Sequence, residues 1–503
     1  MSHQRKEQQL KTIIYWFRND LRLTDNPAFT QACLLAKHIV PVYVHDASLS
    51  DPTQWGITRT SPHRQHFLKT ALGGLDERLQ EKGSKLIELH GEISKELVTL
   101  ACSLKHSLGH CEIHCEEIAA PFEREIVDQL RLAGITVQET WQSSMLDPKD
   151  LPFDLQEMPD VFTKFRQEVE CRGLFYAEPI STPAHIPPLP LMSIATKPKE
   201  ALFPKQVESL FSGGELSALA HLDQYFERRL PDTYKQTRNQ LTGMDYSSKF
   251  SPWLAFGCCS ARTIVQKLKN YESTYGANDG TYWLWFELLW RDYFRFLHFK
   301  YGDKLYRPHG LIDKEINSFD KKKFQQWISG CTGENFIDAG MRELQQTGFL
   351  SNRMRQVVAS YWIYDMKGDW RAGAACCRSK KSGQQKFIVM KKVIAVDIDE
   401  VLLPHFQDLA DWYNAKYGTS LTLADNHPKS IEPWGTINEE EAIRRVHRFY
   451  DTPEFKKAMP FKEALDAIQV LAKHNLLYVV TARDTIVERI TREWINEFFP
   501  QIF

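Results

Sequence analysis

The sequence predicts a chain of three parts: a parallel-sheet α/β unit, an all-helical unit and a second, smaller α/β unit. Strand–helix–strand patterns with short connections occur near both ends of the chain, which is typical of parallel sheets. Between these two regions the sequence pattern is helical and rich in aromatic residues. The helical text stops in "GDWRAGAACCRSKKSGQQKFIVMKKVIAVDIDEV", where a basic stretch is followed by an apolar strand. We place the parts at residues 11–150, 206–375 and 392–503, with a linker at 151–205 and a junction at 376–391.

The composition bounds the class of protein. The chain has 503 residues, of which 43% are hydrophobic and 25% charged, as in ordinary globular proteins. The apolar runs are shorter than the roughly 20 residues that span a bilayer. Ten cysteines without CxxC or zinc spacing predict reduced thiols in an intracellular protein. The polar start "MSHQRKEQQLKT" resembles neither a signal peptide nor a convincing transit peptide, so we expect the cytoplasm or nucleus, with organelle import unsupported but not excluded.

Charge is unevenly distributed along the chain. The net charge is −1, yet the residues from Asp397 onward include 18 acidic and 12 basic side chains. The part before Asp397 is therefore mildly basic. This distribution allows a polyanionic partner for that part and does not by itself show one.

The first α/β unit begins with "KTIIYWF" as a strand, "NPAFTQACLLAKH" as a helix and "IVPVYVHD" as a second strand. No G-x-G-x-x-G follows the first strand, so a standard dinucleotide site is unsupported. Polar residues after the first strand lie at the edge of a parallel sheet where ligands often bind. A structural loop of ion pairs explains them equally well. These residues are Arg18, Asn19, Asp20, Arg22 and Asp25.

The helical unit contains two polar stripes among apolar and aromatic residues. The helix "TYWLWFELLWRDYFRFLHFKYG" is apolar nearly all round and should be buried. Two sets at spacing i, i+3, i+4 each share a helix face: Glu287, Trp290 and Arg291, then Asn352, Arg355 and Gln356. Two buried polar stripes predict a large planar ligand with polar edges. The alternative for the first set is core packing with one Glu–Arg salt bridge.

A hydroxyl-rich loop precedes a helix that we expect to start at Pro252. The text "YKQTRNQLTGMDYSSKFSPWLAFGCCSAR" supplies Tyr234, Arg238 and three serines. Hydroxyls and free N–H groups at a helix N-terminus suit a phosphate. Ordinary N-capping explains Ser251 equally well.

Several of these stretches together resemble the photolyase/cryptochrome family, and the DASH branch in particular. They are "WFRNDLRLTDNP", "KFSPWLAFGCCSAR", "LLWRDYFRF", "TGENFIDAGMRELQQTGFLSNRMRQVVAS" and "DWRAGA", with "LDPKDLPFDLQEMPDVFTKFRQEVE" between the first two units. The resemblance covers residues 11–375. It implies a Rossmann-like antenna domain and an all-α FAD-binding domain, the latter truncated at its carboxyl end.

By motif position the resemblance also implies site residues. The FAD phosphates and ribityl chain would contact Tyr234, Ser247, Ser248, Phe250 and Ser251. The rest of FAD would contact Glu287, Arg291, Asn352 and Arg355. Trp290 would stack on a flipped pyrimidine dimer, and Phe349, Arg353 and Gln356 would lie on the DNA side.

The resemblance further implies an activity. Phe349 and Gln356 stand where classical photolyases have Trp and Met, as in the DASH branch, which is associated with single-stranded DNA. We therefore expect a monomeric flavoprotein for blue-light repair of cyclobutane pyrimidine dimers in single-stranded DNA, or a photoreceptor. Catalytic roles would fall to Trp290, Asn352 and Trp370. The family often carries a folate (MTHF) antenna, whose usual contacts do not map cleanly onto "CEIHCEEIAAPFERE".

The text after Trp370 departs from the family. Trp370 matches the middle tryptophan of the chain that photoreduces the flavin. Where the family continues with an Asp/Asn pair over the flavin and a proximal tryptophan, this sequence reads "ACCRSKKSGQQKFIVMKK". We expect FAD binding to be weakened or lost and photoreduction to be impaired.

The last part resembles haloacid-dehalogenase-type (HAD) phosphatases, especially nucleotidases. "IAVDIDEVL" is similar to their first motif and "VVTAR" to their second. The resemblance implies Asp397 as nucleophile, Asp399 as acid/base, both facing Mg²⁺, and Thr481 as a phosphate ligand. A solvated pair of aspartates at a strand end is the alternative.

The sequence leaves three functions open. Besides the flavoprotein, these are a phosphohydrolase acting on a nucleotide-like phosphoester and an inactive, flavin-less nucleic-acid-binding fusion. Because the HAD-like text stops soon after Thr481, before the later lysine and acidic pair, we expect poor hydrolysis or none. One protein is predicted to end near Ala375 and another to begin near Lys391, both cut short, as in a fused or mis-spliced gene.

Overall fold

The structure is a computed structural model. It describes residues 11–173, 176–192, 194, 209–311, 318–380, 393–422, 425, 432–474, 476–479, 481, 483 and 485–500. The chain divides into two compact units, residues 1–387 and 388–503, which are described separately. The boundary lies inside the segment 376–391 that the sequence marks as a junction.

The first unit begins with a five-stranded sheet. All neighbouring strands are parallel and the order is β3-β2-β1-β4-β5, which confirms the predicted α/β unit. The strands are β1 (Lys11–Trp16), β2 (Ala36–Asp46), β3 (Ile87–Gly91), β4 (Glu112–Glu116) and β5 (Val137–Thr140). The helices between them are α1 (Pro27–Leu35), α2 (Pro62–Gln80), α3 (Ile93–Leu108) and α4 (Pro121–Leu132).

Both faces of this sheet are covered, as a parallel sheet requires. Side chains alternate along β1, so Ile14 and Trp16 pack on one side in a core shared with α3 and α4. Ile13 and Tyr15 face the other side and belong to a core that continues into the helical part of the unit. The helical part of the unit therefore packs against one face of the sheet.

The rest of the first unit is helical. The helices are α5 (Phe162–Cys171), α6 (Glu215–Glu227), α7 (Tyr234–Thr237), α8 (Ser251–Phe256), α9 (Ala261–Tyr275), α10 (Asp279–Tyr301), α11 (Lys321–Ser329), α12 (Asn335–Thr347), α13 (Asn352–Ser360) and α14 (Trp370–Lys380). A π-helical turn, Tyr361–Asp365, follows α13. The predicted aromatic helix is α10, which a capping box at Asn278 starts.

The loop after β1 fastens the sheet to the helices. Leu21 N donates to Phe256 O (3.0 Å), and Arg22 Nη1 donates to Gly257 O (3.0 Å). Gly257 has φ +66°, and a Cβ there would lie 1.8 Å from the Asn19 oxygen, so only glycine fits. Asp25 is fully buried and its carboxylate accepts from Arg262 Nε (2.9 Å). Of the two alternatives for this loop, the structure favours the structural loop of ion pairs.

The second unit contains a two-stranded parallel sheet, β6 (Val393–Val396) beside β7 (Leu476–Val479), among the residues described. Its helices are α15 (His405–Tyr417), α16 (Glu439–His447), α17 (Pro453–Lys456), α18 (Lys462–His474) and α19 (Glu488–Phe498). A separate apolar core holds it together, including Phe406, Tyr413 and Phe449. The return of alternating strands and helices agrees with the predicted second α/β unit.

Candidate flavin and phosphate sites

The loop between Asp245 and Ser251 has an unusual backbone. Ser247 (φ +57°) and Lys249 (φ +54°) both adopt the left-handed conformation, which costs free energy for residues other than glycine. Phe250, not Ser251, occupies the N-cap position of α8, and no side chain caps this helix. N-capping therefore does not explain Ser251. A strained loop that presents hydroxyls before an uncapped helix is compatible with ligand binding.

Lys249 lies at the centre of this loop and is buried, with 4% of its surface exposed. Its ammonium donates to Tyr246 O (2.5 Å) and lies 3.4 Å from the centroid of the Tyr246 ring. Burial lowers the pKa of Lys249 to about 8, although Asp245 and Glu343 act in the opposite direction. Lys249 was not among the residues predicted from the sequence. Its position among predicted phosphate-binding serines was the available signal.

Arg355 is a second cation that burial affects. Its guanidinium lies on α13, where Nη2 donates to Asn352 Oδ1 (3.3 Å). Burial lowers the pKa of Arg355 to about 10, against the opposing influence of Cys377 and Tyr246. Asn352 and Gln356 are exposed, so the prediction that the whole second stripe is buried is wrong. Arg355 is half-buried, and the residues of α13 that are buried are Met354 and Val358.

The first polar stripe does not form an internal ion pair. Glu287 pairs instead with Arg238, whose guanidinium lies over the Trp283 ring at 4.1 Å. Burial raises the pKa of Glu287. Arg291 points toward the α/β part, where Nη1 donates to Ser143 O (2.5 Å). The alternative of a Glu287–Arg291 salt bridge is therefore wrong, because each side chain finds a nearer partner from another part of the chain.

Arg291 belongs to a buried polar cluster beside the sheet. Burial lowers the pKa of Arg291 to about 9. Asp292 Oδ2 accepts from the amides of Met145 and Leu146 (both 2.9 Å). Burial raises the pKa of Asp292, and likewise that of Glu116, to about 7. The structure thus places Arg291 beside the α/β part, and its predicted contact with FAD stays a prediction.

Trp290 is enclosed by other rings. Phe162 stacks on it with centroids 3.6 Å apart and a 12° angle, and Phe294 lies at 5.3 Å. Tyr293 approaches its edge at 5.7 Å. The predicted stacking of Trp290 on a flipped base stays a prediction, and in this structure it requires the Phe162 side chain to move.

The remaining predicted residues occupy two environments. Tyr234 and Phe250 are buried in the helical part, while Phe349 contacts the Phe211 ring edge at 5.2 Å. Arg353 is exposed, and it donates to Gln356 Oε1 (3.0 Å) and Asn239 Oδ1 (2.8 Å). The exposed side chains can meet a polyanion, whereas the buried ones can contact only an enclosed ligand.

The tryptophan assigned to electron transfer starts α14. Trp370 is half-buried and its Nε1 donates to Pro308 O (2.9 Å). Nearby in sequence, Trp362 is fully buried and stacks on Trp327 with centroids 5.3 Å apart. This pair was not predicted from the sequence, because apolar periodicity alone does not distinguish it from core packing. The departing text from residue 381 to 392 lies outside the described residues.

The residues present fit the phosphate half of FAD. Desolvation lowers the pKa values of buried Lys249 and half-buried Arg355, and an anion bound beside them would offset this cost. Ser247 and Ser248 supply hydroxyls in a loop already held in an uncommon conformation. His221 Nε2 lies 2.9 Å from Ser248 O, and this hydrogen bond helps to hold the loop in place.

In the second unit the two predicted HAD motifs lie side by side. Val396 pairs with Val479, so Asp397 and Thr481 follow the ends of neighbouring parallel strands. Asp397 is exposed, and its Oδ1 accepts from the Ile398 amide (2.8 Å). Thr481 Oγ1 accepts from the Arg483 amide (3.2 Å). The carboxyl edge of this sheet thus presents one aspartate and one hydroxyl.

Asp399 has a different environment from Asp397. Its carboxylate is bonded by Arg483, with Nη2–Oδ1 at 2.5 Å and Nε–Oδ2 at 3.0 Å. Among the residues described, no three carboxylate, imidazole or thiolate side chains converge on a metal-sized site. The predicted Mg²⁺ site at Asp397 and Asp399 stays a prediction.

Family models match three stretches of the chain. The model "DNA photolyase" matches residues 13–186 and "FAD binding domain of DNA photolyase" matches residues 283–381. The model for the 5′ nucleotidase, deoxy (pyrimidine), cytosolic type C protein (NT5C) matches residues 391–503. The three matches follow the order of the predicted parts.

Curated relatives match most of the chain. A cryptochrome DASH from Synechocystis sp. is 42% identical over 374 residues, which cover 72% of this chain and 76% of the relative. A cryptochrome DASH from Xenopus laevis is 41% identical over 379 residues, 72% of each. A "Cryptochrome DASH, chloroplastic/mitochondrial" from Arabidopsis thaliana is 38% identical over 374 residues, 72% of this chain and 65% of the relative.

Solved structures agree. The Synechocystis sp. cryptochrome superposes with a TM-score of 0.70 at 38% identity, over 76% of this chain and 80% of that one. A class III photolyase from Agrobacterium tumefaciens, at 24% identity and a TM-score of 0.60 over 76% and 78%, shares the fold.

Fold, site and matches together define a flavoprotein of two associated domains, one α/β and one helical, to which an NT5C-like unit is joined. The chain belongs to the photolyase/cryptochrome family, and the relatives described above are DASH cryptochromes. In the part of the chain that the structure describes, the helices are too short or too polar to cross a bilayer. All ten cysteines are free, as the sequence predicted.

Proposed function

We propose that this chain binds FAD in its helical part and uses blue light to repair cyclobutane pyrimidine dimers in single-stranded DNA, to sense light, or both. The observation that carries the proposal is buried Lys249 and half-buried Arg355 together with a strained serine loop. Their lowered pKa values favour an enclosed anionic ligand, and the pyrophosphate of FAD is such a group.

The protein residues bind and orient in this proposal. Lys249, Ser247 and Ser248 hold the phosphates, and Arg355 with exposed Asn352 contacts the remainder of the cofactor. FAD, when bound, supplies the light-driven electron transfer. Trp290 receives the extruded dimer after Phe162 moves aside, and stacking stabilises it by about 1–3 kcal/mol per base.

The exposed polar residues of α13 form the DNA side. Arg353, bonded to Asn239 and Gln356, offers a positive charge to a phosphate while Phe349 lies nearby in sequence. Single strands favour this arrangement because an unpaired base leaves the stack at lower cost. We further propose that the protein acts as a monomer inside the cell, in the cytoplasm or nucleus, and that a folate serves as antenna.

The proposal is tested by the purified full-length chain. We expect a flavin absorption band in the blue and light-dependent loss of dimers from a thymine-dimer oligonucleotide, faster for the single strand than for the duplex. Trp290→Ala should weaken DNA binding. The control is Trp412→Ala, which replaces a half-buried tryptophan of the second unit and should leave DNA binding unchanged. A colourless protein that binds DNA without light-dependent repair would establish the flavin-less alternative. A flavin band without repair would leave the photoreceptor.

A further inference from the structure

Asp399 in the second unit is engaged by Arg483 through both carboxylate oxygens. Besides the contacts above, Nε lies 3.2 Å from Oδ1. The Arg483 side chain is 3% exposed, while that of Asp399 is 30% exposed. A planar guanidinium that meets a carboxylate through two nitrogens is a geometrically specific pair. The acid/base that the HAD resemblance implies is thus already occupied.

Arg483 is also fixed on its other sides. Nη1 donates to Thr491 Oγ1 on α19 (3.2 Å). The guanidinium lies 5.1 Å from the Tyr450 ring centroid and 5.3 Å from that of Phe455, within cation–π range. Moving Arg483 away from Asp399 would break all of these contacts together. The ion pair is therefore part of the core of the unit.

A histidine completes the surroundings of Asp399. His405 Nδ1 lies 3.8 Å from Asp399 Oδ1, and its Nε2 lies 3.1 Å from the Tyr450 hydroxyl. At 3.8 Å Nδ1 makes no hydrogen bond to the carboxylate, so it is Arg483 that bonds the two oxygens of Asp399.

These contacts conflict with the magnesium ion that the nucleotidase resemblance implies. Mg²⁺ requires near-octahedral oxygen ligands, commonly one or two carboxylates with water and substrate oxygens. Arg483 balances the charge of the Asp399 carboxylate and engages lone pairs on both of its oxygens, so Mg²⁺ would have to compete with the guanidinium for this ligand. We propose that Arg483 is the permanent counter-cation of Asp399 in this chain, and that the NT5C-like unit is a metal-independent module without phosphatase activity. The inference does not depend on flavin binding.

The test titrates the full-length protein with Mn²⁺, used as a probe for Mg²⁺, and follows water-proton relaxation. The wild type should bind Mn²⁺ no more tightly than Asp399→Asn. Arg483→Gln removes the cation but keeps an amide that can reach Thr491, and it should bind Mn²⁺ about tenfold or more tightly than the wild type. Adding Asp399→Asn to Arg483→Gln should abolish the gain, which assigns it to this carboxylate.

Two results would overturn the proposal. One is Mn²⁺ binding by the wild type that Asp399→Asn weakens about tenfold; the other is a folded Arg483→Gln variant with no gain. If Arg483→Gln fails to fold by circular dichroism, the comparison of wild type with Asp399→Asn still decides. Hydrolysis of p-nitrophenyl phosphate provides a second readout: Mg²⁺-dependent turnover by the wild type that Asp397→Asn removes would also contradict the proposal.

Discussion

The helical part of the first unit and the second unit each contain buried cations, but different groups face them. In the helical part, burial outweighs the nearby negative groups, so the pKa values of Lys249 and Arg355 are lowered to about 8 and about 10. In the second unit, Arg483 is bonded through two nitrogens to Asp399. A buried charge costs free energy unless it is paired. The Lys249 site therefore gains from an external anion, whereas Arg483 is neutralised by a carboxylate of its own unit.

The largest expected effect that tests this comparison is a loss of FAD affinity on substitution of Arg355. Arg355→Met removes a half-buried charge that contacts FAD in our proposal, so affinity for FAD should fall by roughly 100-fold, or about 2–3 kcal/mol, since hydrogen bonds to charged groups contribute that much. The measurement is FAD binding by fluorescence quenching, with flavin content per chain as a check. Arg353→Met, two residues away and exposed, is the matched control and should retain FAD. Equal losses in both variants would contradict the assignment.

The next largest expected effect concerns the stability of the second unit. Asp399→Asn leaves Arg483 buried without a carboxylate and should lower the free energy of unfolding of this unit by about 1–2 kcal/mol, below the range for fully buried pairs because Asp399 is partly exposed. The same substitution at exposed Asp397 should change it by less than about 0.5 kcal/mol. Urea unfolding followed by α15–α19 hydrogen exchange measures both. If Asp397 and Asp399 instead formed a metal site, either substitution would remove repulsion between the two carboxylates in the metal-free protein. Both variants would then be more stable than the wild type.

The sequence allowed the parallel sheet, the aromatic helix α10 and the positions of the two aspartates to be anticipated, because periodicity and motif order are local properties. The partners of charged side chains were not predictable in this way. Spacing showed that Glu287 and Arg291 share a face, but Glu287 finds Arg238, 49 residues away. The partner of Asp399 is 84 residues away.

Conformation was the second limit. Lys249 lies in a loop whose function depends on positive φ at Ser247 and at Lys249 itself, and no propensity indicates that for non-glycine residues. The stripe of Asn352, Arg355 and Gln356 was identified correctly as a spacing but not as a burial pattern. Burial depends on which neighbouring elements cover a helix, and that follows from tertiary packing.

The third prediction concerns pH at the flavin site. With the pKa of free Lys249 at about 8, FAD binding above that pH must take up a proton, so affinity should fall by up to about tenfold per pH unit between about pH 8 and 10. Below about pH 8 it should be constant. Lys249→Met should bind FAD more weakly at pH 7 and show no such slope. Fluorescence titrations at several pH values decide, and an identical slope in Lys249→Met would exclude Lys249 as the source.

The smallest expected effect separates the sheet-side cluster from the flavin site. Asp292 has a pKa raised by burial to about 7, so between its unfolded value, about 4, and about 7 the folded state binds more protons than the unfolded state. Stability from this carboxyl is therefore greatest at low pH and is lost as pH rises through about 7. Asp292→Asn keeps an oxygen that accepts from the amides of Met145 and Leu146 while removing the titration.

Asp292→Asn should thus flatten the decline of unfolding free energy between about pH 4 and 7 and change stability at pH 7 by no more than about 1 kcal/mol. Glu116→Gln is the matched variant, because the pKa of Glu116 is raised to about 7 for the same reason. Since both carboxyls lie beside the sheet, neither substitution should alter the pH dependence of FAD affinity. If Asp292→Asn shifted that dependence, the cations of the helical part and the carboxyls of the sheet side would form one electrostatic system. In that case carboxylates of the α/β domain would partly neutralise the cations of the helical part, as Asp399 neutralises Arg483 in the second unit.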